Sequence, residues 1–164
     1  MPSPRKEIRD SSTVLVRRMV RSDVPGVLSI LKESPEAANW SRESLLEFSR
    51  SGISLTAELD GGVAGILFGR AARDEFEILN LAVSKTYRRR GIATELVNAA
   101  VESARTSGAR HAYLEVRASN DGAIDLYSRI GFRVYGRRRN YYREPVEDAV
   151  LLRLEVNGTG LQFS

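Results

Sequence analysis

The 164-residue chain contains no cysteine and a single histidine, His111. The lack of cysteine excludes disulfide bonds, thiolate metal sites and a cysteine nucleophile. One histidine cannot build a multi-histidine metal site, and a Ser-His-Asp triad would depend on His111 without a Gly-X-Ser-X-Gly motif. No apolar run reaches the roughly 18 residues of a membrane-spanning helix, and residues 1–12 are too polar for a secretory signal. We therefore expect a cytoplasmic protein that holds no metal.

The composition is that of an ordinary globular protein. Hydrophobic residues make up 42% of the chain and charged residues 28%, both close to globular averages. A chain of this length usually forms one domain, since domains run to about 150 residues. We predict one folded domain over residues 13–156, with short tails at 1–12 and 157–164.

Positive charge is concentrated in the second half of the chain. The net charge is +4, but residues 1–82 carry −1 and residues 83–164 carry +5. Only three of the 25 basic residues are lysines, and the arginine fork suits phosphate and carboxylate groups better than the lysine ammonium does. The C-terminal half is therefore predicted to bind an anion.

Hydrophobic spacing and turn residues predict the element order β-α-α-β-β-β-α-β-α-β-β. This order is typical of a mixed α/β domain with antiparallel strands first and βα units later. Ser22 or Asp23 is the expected cap of the first helix, Asn120 or Ser119 of the last, and Gly131 closes that last helix. The predicted strands are 13–19, 53–59, 63–69, 75–83, 112–117, 132–137 and 149–156. The first helix is predicted to run to about residue 33, and the three later helices are 41–52, 91–106 and 121–130.

A basic loop leads from a predicted strand into a predicted helix. The strand ends at residues 81–83 with Leu-Ala-Val, and an arginine run at 88–90 precedes Gly91. A helix N-terminus has unpaired N–H groups and a partial positive charge, and small residues let a phosphate approach them. Neither a Walker motif nor a dinucleotide fingerprint is present. The loop fits a diphosphate, with a solvated basic turn as the alternative.

Six segments in this order resemble the GNAT acetyltransferases, and in particular their RimI branch, which acetylates the N-terminal alanine of a small-subunit ribosomal protein. The resemblance covers most of residues 13–156 and implies a single-domain GNAT fold with a mixed, mostly antiparallel sheet flanked by helices. It also implies acetyl-CoA as co-substrate. The segments are Asn80-Leu-Ala-Val, Tyr87-Arg-Arg-Arg-Gly-Ile-Ala, Leu114-Glu-Val-Arg-Ala-Ser-Asn, Ala123-Ile-Asp-Leu-Tyr-Ser-Arg-Ile-Gly-Phe, Arg138-Arg-Asn-Tyr-Tyr and Glu147-Asp-Ala.

The resemblance implies a position for each part of acetyl-CoA. The strand end at Leu81, Ala82 and Val83 would run beside the acetyl and pantetheine portion, with the Val83 N–H facing the carbonyl oxygen, where negative charge grows during attack. Asn120 would make a further contact, and its alternative role is a plain helix cap. The diphosphate would lie on the backbone amides of Arg89, Arg90, Gly91, Ile92, Ala93 and Thr94.

Acyl transfer to an amine needs a route for the amine proton and a proton donor for the leaving thiolate, tasks that suit a carboxylate and a phenol. The resemblance implies that Glu115 is the base, directly or through water, and that Tyr127 is the acid. From the strand pattern alone, Glu115 is a solvent-facing carboxylate paired with an arginine. From the helical spacing alone, Tyr127 is a half-buried aromatic that anchors its helix.

The resemblance also implies an acceptor site. Trp40 would flank the acceptor groove, and Asn140, Tyr141 and Tyr142 would line it, with a basic hairpin loop as the alternative for that segment. The sequence departs from the RimI branch just before Trp40, where Ala38 and Asn39 replace Phe and Pro. This departure concerns the peptide preference and not the acetyl-CoA chemistry.

We therefore predict an N-acetyltransferase that works by direct attack in a ternary complex. The lack of cysteine agrees with direct transfer, and the alternative is an acyl intermediate on a serine or lysine. The expected acceptor is the free N-terminus of a protein that starts with alanine or another small residue, such as a ribosomal protein. The alternative within the enzyme class acetylates internal lysines or small amines. The alternative from another class is an RNA- or ribosome-binding module that uses the arginine runs at 88–90 and 137–139.

Overall fold

The computed structural model describes residues 13–34 and 40–156, and the predicted tails, Ala38 and Asn39 lie outside these described residues. The strands are β1 (Leu15–Arg18), β2 (Ile53–Leu59), β3 (Gly62–Ala72), β4 (Glu75–Val83), β5 (His111–Arg117), β6 (Arg133–Arg143) and β7 (Val146–Glu155). The helices are α1 (Val24–Lys32), α2 (Arg42–Ser51), α3 (Ile92–Thr106) and α4 (Asp121–Ile130), with short 3-10 turns before α1 and α3. No helix in the described ranges is long and apolar enough to cross a bilayer.

The predicted element order is confirmed, and β2, β4 and α4 have the predicted bounds. The strands form one seven-stranded sheet in the order β1-β2-β3-β4-β5-β7-β6. Every neighbouring pair is antiparallel except β4 and β5. The predicted α/β class and the mixed, mostly antiparallel sheet are therefore confirmed.

The last hairpin differs from the prediction. The predicted strand 132–137 is too short, because β6 runs on to Arg143 and β7 already begins at Val146. Residues 140–142 therefore lie inside a strand. The register shifts between Arg138 and Tyr142, so the side chains do not alternate in the regular way that marks a strand in a sequence.

Helices cover both faces of the sheet. Successive residues of β3 point to opposite faces: Leu67 belongs to the apolar cluster under α3 and α4, whereas Ile66 and Phe68 belong to the cluster under α1 and α2. On β5, Leu114 faces the α3 and α4 side, so Glu115 faces the other side. Over β5, β7 and β6 that second face is open, and Tyr135 there is 49% exposed.

The sheet splits between β4 and β5. Their parallel ladder pairs only Glu75 to Glu77 with His111 to Tyr113. Beyond these pairs β4 continues beside β3, while β5 continues beside β7. A bulge at Leu79, between the pairs Phe68–Asn80 and Gly69–Ile78, bends β4 as bulges do. The two strands therefore diverge and leave a cleft in the middle of the sheet.

A network around Arg17 fastens β1 to its neighbours. The Arg17 guanidinium donates to the two Asp23 carboxylate oxygens at 2.7 and 2.9 Å and to Glu58 at 3.0 Å. These bonds hold the pKa of the Asp23 carboxyl below its usual value, chiefly through the hydrogen bond from Arg17. The prediction that Ser22 or Asp23 caps α1 is confirmed in position, since Asp23 is the N-cap residue, but its side chain makes no cap hydrogen bond to α1 and accepts from Arg17 and the Val20 N–H instead.

Candidate active site

The loop before α3 ends in an open, uncapped helix start. Lys85–Tyr87 forms a 3-10 turn, and Arg89 and Gly91 both have positive φ, at 62° and 77°. Gly91 is the N-cap of α3 and offers no side chain to its first turn. A Cβ atom at Gly91 would meet nothing within 4 Å. The first N–H groups of α3 thus lack intrahelical acceptors and adjoin open space, a donor set that fits a diphosphate.

The end of β4 directs backbone donors into the cleft. The Ser84 N–H donates to the Ala64 carbonyl on β3 at 2.8 Å. Because backbone groups alternate along a strand, the Val83 N–H points the opposite way, toward the diverging β5. The Leu81 N–H has the same direction. The Arg88 Nε atom donates to the Val83 carbonyl at 3.2 Å on that side.

The side chains at the end of β4 pack in the two apolar cores and do not face the cleft. Ala82 packs under α1 and α2, and Leu81 and Val83 pack on the α3 and α4 side. The predicted contact of residues 81–83 with the thioester end of acetyl-CoA would therefore use their backbone.

A groove of about 500 Å³ lies between α3 and α4. It begins at Thr94, in the first turn of α3, so it continues from the helix start described above. Asn98 and Arg129 were not foreseen from the sequence, although Asn98 follows Thr94 by one helical turn and so shares its face. The lining residues are Thr94, Asn98, Gly122, Asp125, Leu126, Arg129 and Ile130.

Glu115 lies on β5 beside the cleft, with its side chain 24% exposed. Glu115 forms an ion pair with Arg138, whose Nε atom lies 3.0 Å from Glu115 Oε1. The negative charge of the nearby Glu115 carboxylate raises the pKa of Tyr141. The arginine partner expected from the strand pattern is thus present, and it comes from β6.

Tyr127 lies on α4, on the opposite side of the sheet from Glu115. It is 4% exposed and belongs to the large core cluster, with its ring edge-on to Phe132 at 5.3 Å. It is more deeply buried than the helical spacing indicated. Burial raises the pKa of the Tyr127 hydroxyl, so the group stays protonated at neutral pH.

The junction between β5 and α4 is held by two contacts of different kinds. The Asn120 side-chain oxygen accepts from the Ala123 N–H at 3.1 Å, so the predicted helix cap is confirmed. Glu147, on β7, accepts from the Ser119 N–H and pairs with Arg117. The bonds with Ser119 lower the pKa of Glu147. This second contact ties the β6–β7 hairpin to the junction, and the sequence pattern did not predict it.

Two of the predicted acceptor residues adjoin each other, because the Tyr141 and Tyr142 rings lie edge-on with their centroids 5.1 Å apart. Tyr141 is 49% exposed and lies beside Glu115, whereas Tyr142 packs under the Arg117 guanidinium at 4.3 Å. The Asn140 N–H donates to the Asp148 carboxylate at 3.0 Å, and Asn140 has a positive φ of 50°.

Trp40 lies apart from these residues, in the cluster under α1 and α2. It packs against Phe48 and Phe68 at 5.3 and 5.1 Å. Its Nε1 atom is buried without a hydrogen-bond partner in the described part of the chain. Phe68 and Glu115 face the same side of the sheet, so Trp40 lies on the acceptor side across β4.

The split sheet, the uncapped helix start and the carboxylate beside the cleft together define an acyl-CoA-dependent transferase of the GNAT type. The family model described as Acetyltransferase (GNAT) family matches residues 24–132. The chain belongs to this family, so it is an N-acetyltransferase, and the predicted enzyme class and fold are confirmed.

Two sequence relatives and one crystal structure show which members of the family this chain is similar to. The [ribosomal protein bS18]-alanine N-acetyltransferase of Salmonella typhimurium is 31% identical over 83% of this chain and 93% of its own length. The N-alpha-acetyltransferase RimI of Mycobacterium tuberculosis is 39% identical over 64% of this chain and 62% of its own. The crystal structure of the ribosomal-protein-S18-alanine N-acetyltransferase from Escherichia coli superposes with a TM-score of 0.80 at 26% identity, over 93% of this chain and 99% of that chain.

Proposed function

We propose that this enzyme transfers the acetyl group of acetyl-CoA to the free N-terminal amine of a protein whose first residue is alanine or another small residue. Relatives that align along most of the chain bear the name of an alanine N-acetyltransferase for ribosomal protein bS18. A ribosomal protein of that kind is therefore the first acceptor to test. The proposed cytoplasmic location stays a prediction.

The observation that carries the proposal is the cleft between β4 and β5, with Glu115 on one face of the sheet and Tyr127 on the other. An acceptor amine that enters from the open face meets Glu115. A thioester held between the strands has its sulfur toward α4 and Tyr127. We therefore assign the base to the amine side and the acid to the sulfur side of the reacting carbonyl, an arrangement compatible with direct attack in a ternary complex.

The donor side fits acetyl-CoA, which supplies the activated acetyl group as a thioester. We assign the Val83 N–H, which is directed into the cleft, as the donor to the carbonyl oxygen. The uncapped start of α3, from Arg89 to Thr94, offers backbone N–H groups to the diphosphate. The groove between α3 and α4 continues from Thr94, and we assign the nucleotide end to it.

The proton path follows from the two ionisable groups. Glu115 accepts the proton of the acceptor amine, directly or through water, as the nitrogen–carbon bond forms. As the carbon–sulfur bond breaks, the Tyr127 hydroxyl donates to the sulfur. Because burial raises the pKa of Tyr127, its proton is present when the thiolate develops.

The acceptor class follows from amine chemistry. An α-amine has a pKa of about 7.7–8.0, whereas a lysine side chain has a pKa of about 10.4. Deprotonating the lysine at neutral pH costs about 3 kcal/mol more, at 1.36 kcal/mol per pKa unit. Tyr141 beside Glu115 and the exposed β6 strand offer an extended peptide an edge to lie along.

Product mapping tests this proposal. The wild-type enzyme and the Glu115→Gln variant are incubated with acetyl-CoA and two peptides, one with a free N-terminal alanine and no lysine, the other N-terminally blocked with one internal lysine. Mass spectrometry then reports which peptide gains an acetyl group. We expect acetylation of the free-alanine peptide by wild type and a much slower reaction with Glu115→Gln.

Acetylation of the lysine peptide alone would contradict the proposal and place the enzyme among lysine or small-amine acetyltransferases. CoA release without acetylation of either peptide would also contradict it, and a panel of small amines would follow. RNA affinity with a steep salt dependence but no acetyl transfer would favour the binding-module alternative instead.

A further inference from the structure

The proposed base is already engaged by a cation of its own chain. Arg138 Nε lies 3.0 Å from Glu115 Oε1, and the two side chains are 56% and 24% exposed. Arg138 is opposite Ala149 in the β6–β7 ladder, and Glu115 is opposite Leu151 on the other edge of β7. The guanidinium thus reaches across β7 to the carboxylate, on the open face where the acceptor enters.

The other charged and titratable groups near Glu115 do not replace this cation. Arg117, two residues along β5, is paired with Glu147, and Glu77 on β4 is paired with Arg70 at 2.8 Å. Arg153 on β7 lies over the Tyr135 ring at 5.7 Å. The phenols Tyr135 and Tyr141 also lie near Glu115, and the pKa of each is raised, so both are neutral at neutral pH.

We propose that Arg138 is a specificity residue that keeps the acceptor amine neutral at Glu115 and so selects α-amines over lysine side chains. This inference rests on the proposed function. A carboxylate alone attracts the protonated amine and holds its proton in place. A guanidinium paired with the same carboxylate repels that ammonium, since like charges within about 4–6 Å disfavour the charged form.

The effect separates the two amine classes. An α-amine with a pKa of about 7.7–8.0 is partly neutral at pH 7 and enters the site beside Arg138 as the free base. A lysine side chain with a pKa of about 10.4 is almost wholly cationic and meets the guanidinium as a like charge. Tyr141 does not supply this discrimination, because a neutral phenol repels no cation.

The first experiment measures kcat, at saturating peptide, against pH for the lysine-free alanine peptide with wild type, Arg138→Gln, Arg138→Lys and Arg143→Gln, because the pH profile of kcat reports groups in the bound complex. Arg143 is a matched control, because it is exposed on the same strand and pairs with Val146 at the far end of the hairpin. We expect the acidic limb of the pH–rate profile to lie about one pH unit higher for Arg138→Gln than for wild type. The rates of these two proteins should converge at high pH. Arg138→Lys and Arg143→Gln should keep the wild-type limb.

The second experiment measures binding without turnover. Calorimetry in the presence of CoA compares a peptide that starts with trimethylated alanine, a permanent cation, with the same peptide acetylated at its N-terminus. We expect Arg138→Gln to bind the cationic peptide about tenfold more tightly than wild type, which corresponds to one pH unit of repulsion. Both proteins should bind the neutral peptide equally.

An equal loss of kcat at every pH in Arg138→Gln, with unchanged affinity for the cationic peptide, would overturn the inference and leave Arg138 a structural role. The same limb shift in Arg143→Gln would also overturn it, because net charge would then explain the effect. If wild type acetylates no peptide but the cationic-peptide affinities differ as expected, the proposed acceptor fails while the role of Arg138 is supported.

Discussion

At the scale of single residues, two common sequence patterns, strand alternation and helical spacing, determine which way the Glu115 and Tyr127 side chains face. Alternation along β5 turns Glu115 away from the core that holds Leu114. The helical spacing of α4 turns Tyr127 into that core, where it is 4% exposed. The same patterns suit a surface carboxylate and a packing aromatic, so the catalytic roles that we propose for these positions rest on their location on either side of the cleft.

The Glu115→Gln substitution tests the base. Glutamine keeps the shape of the side chain but cannot take a proton, so we expect kcat/KM to fall about a hundredfold or more near pH 6.5, within the range of lost acid–base catalysis. The deficit should shrink above pH 9, where the acceptor amine is already neutral. A pH–rate profile measures this, and a deficit of constant size across pH would argue against a base.

The Tyr127→Phe substitution tests the acid. Loss of the hydroxyl should lower kcat about a hundredfold, while the free energy of unfolding changes by less than about 1 kcal/mol, because the ring keeps its contact with Phe132. Single-turnover kinetics and urea unfolding give the two values. An unchanged kcat, or a large loss of stability, would assign Tyr127 to packing alone.

At the scale of elements, the two helices beside the cleft begin in different ways. The Asn120 side chain caps α4, whereas α3 begins at Gly91 with no side-chain cap and with backbone in the left-handed region. A helix end without a cap loses about 1 kcal/mol. The unpaired donors at the start of α3 are thus available to an anionic ligand.

The Gly91→Val substitution tests this helix start. We expect acetyl-CoA affinity to fall at least tenfold, since the new side chain would occupy the open space beside the diphosphate donors. The control is Gly108→Val, which follows the other end of α3, also has a positive φ of 94° and adjoins open space. Both variants carry a similar backbone strain of about 1–2 kcal/mol, so calorimetric affinities that fall equally would contradict the proposed cradle.

The β6–β7 hairpin shows where element prediction from sequence reaches its limit. Regular alternation predicted β2 and β4 correctly, because both strands lie against packed cores. β6 is an edge strand with exposed arginines and tyrosines and a register shift before Tyr142, so no periodic pattern marks its length. The partner of Glu115, Arg138, lies in the segment that the prediction left outside the strand.

At the scale of the whole molecule, a network of charged side chains around Arg17 stabilises the N-terminal half. Two apolar cores, one on each face, stabilise the split sheet. Arg17 joins β1 and β2 to the turn before α1 through Glu58 and Asp23. The Asp23 side chain is 7% exposed, so removal of its charge leaves Arg17 with one partner fewer in a mostly buried site. Breaking such a pair is costly.

The Asp23→Asn substitution should lower the free energy of unfolding by about 2 kcal/mol at pH 7. Because Arg17 lowers the pKa of Asp23 in the folded state, the wild-type advantage is complete above the unfolded pKa of about 3.9. It disappears as the pH falls through the lower folded pKa. Urea unfolding at pH 7, 5 and 3 measures the difference between the two proteins.

The exposed pair of Asp125 and Arg129, at 3.0 Å on α4, provides the control for this prediction. Asp125→Asn should change the free energy of unfolding by less than about 0.5 kcal/mol at every pH. A wild-type advantage over Asp23→Asn that stays constant down to pH 3 would contradict the assignment of the Asp23 charge to folding stability.

The sequence by itself determined the order of the elements, the strand-to-helix loop at residues 84–91 and the family, because local periodicity and contiguous motifs carry that information. Only the tertiary structure decided that β4 and β5 separate after Glu77, that Asp23 pairs with Arg17, and that Arg138 meets Glu115 across β7. These contacts join residues far apart in the chain. Their partners are selected by sheet register and by the bulges that shift it, which no local pattern records.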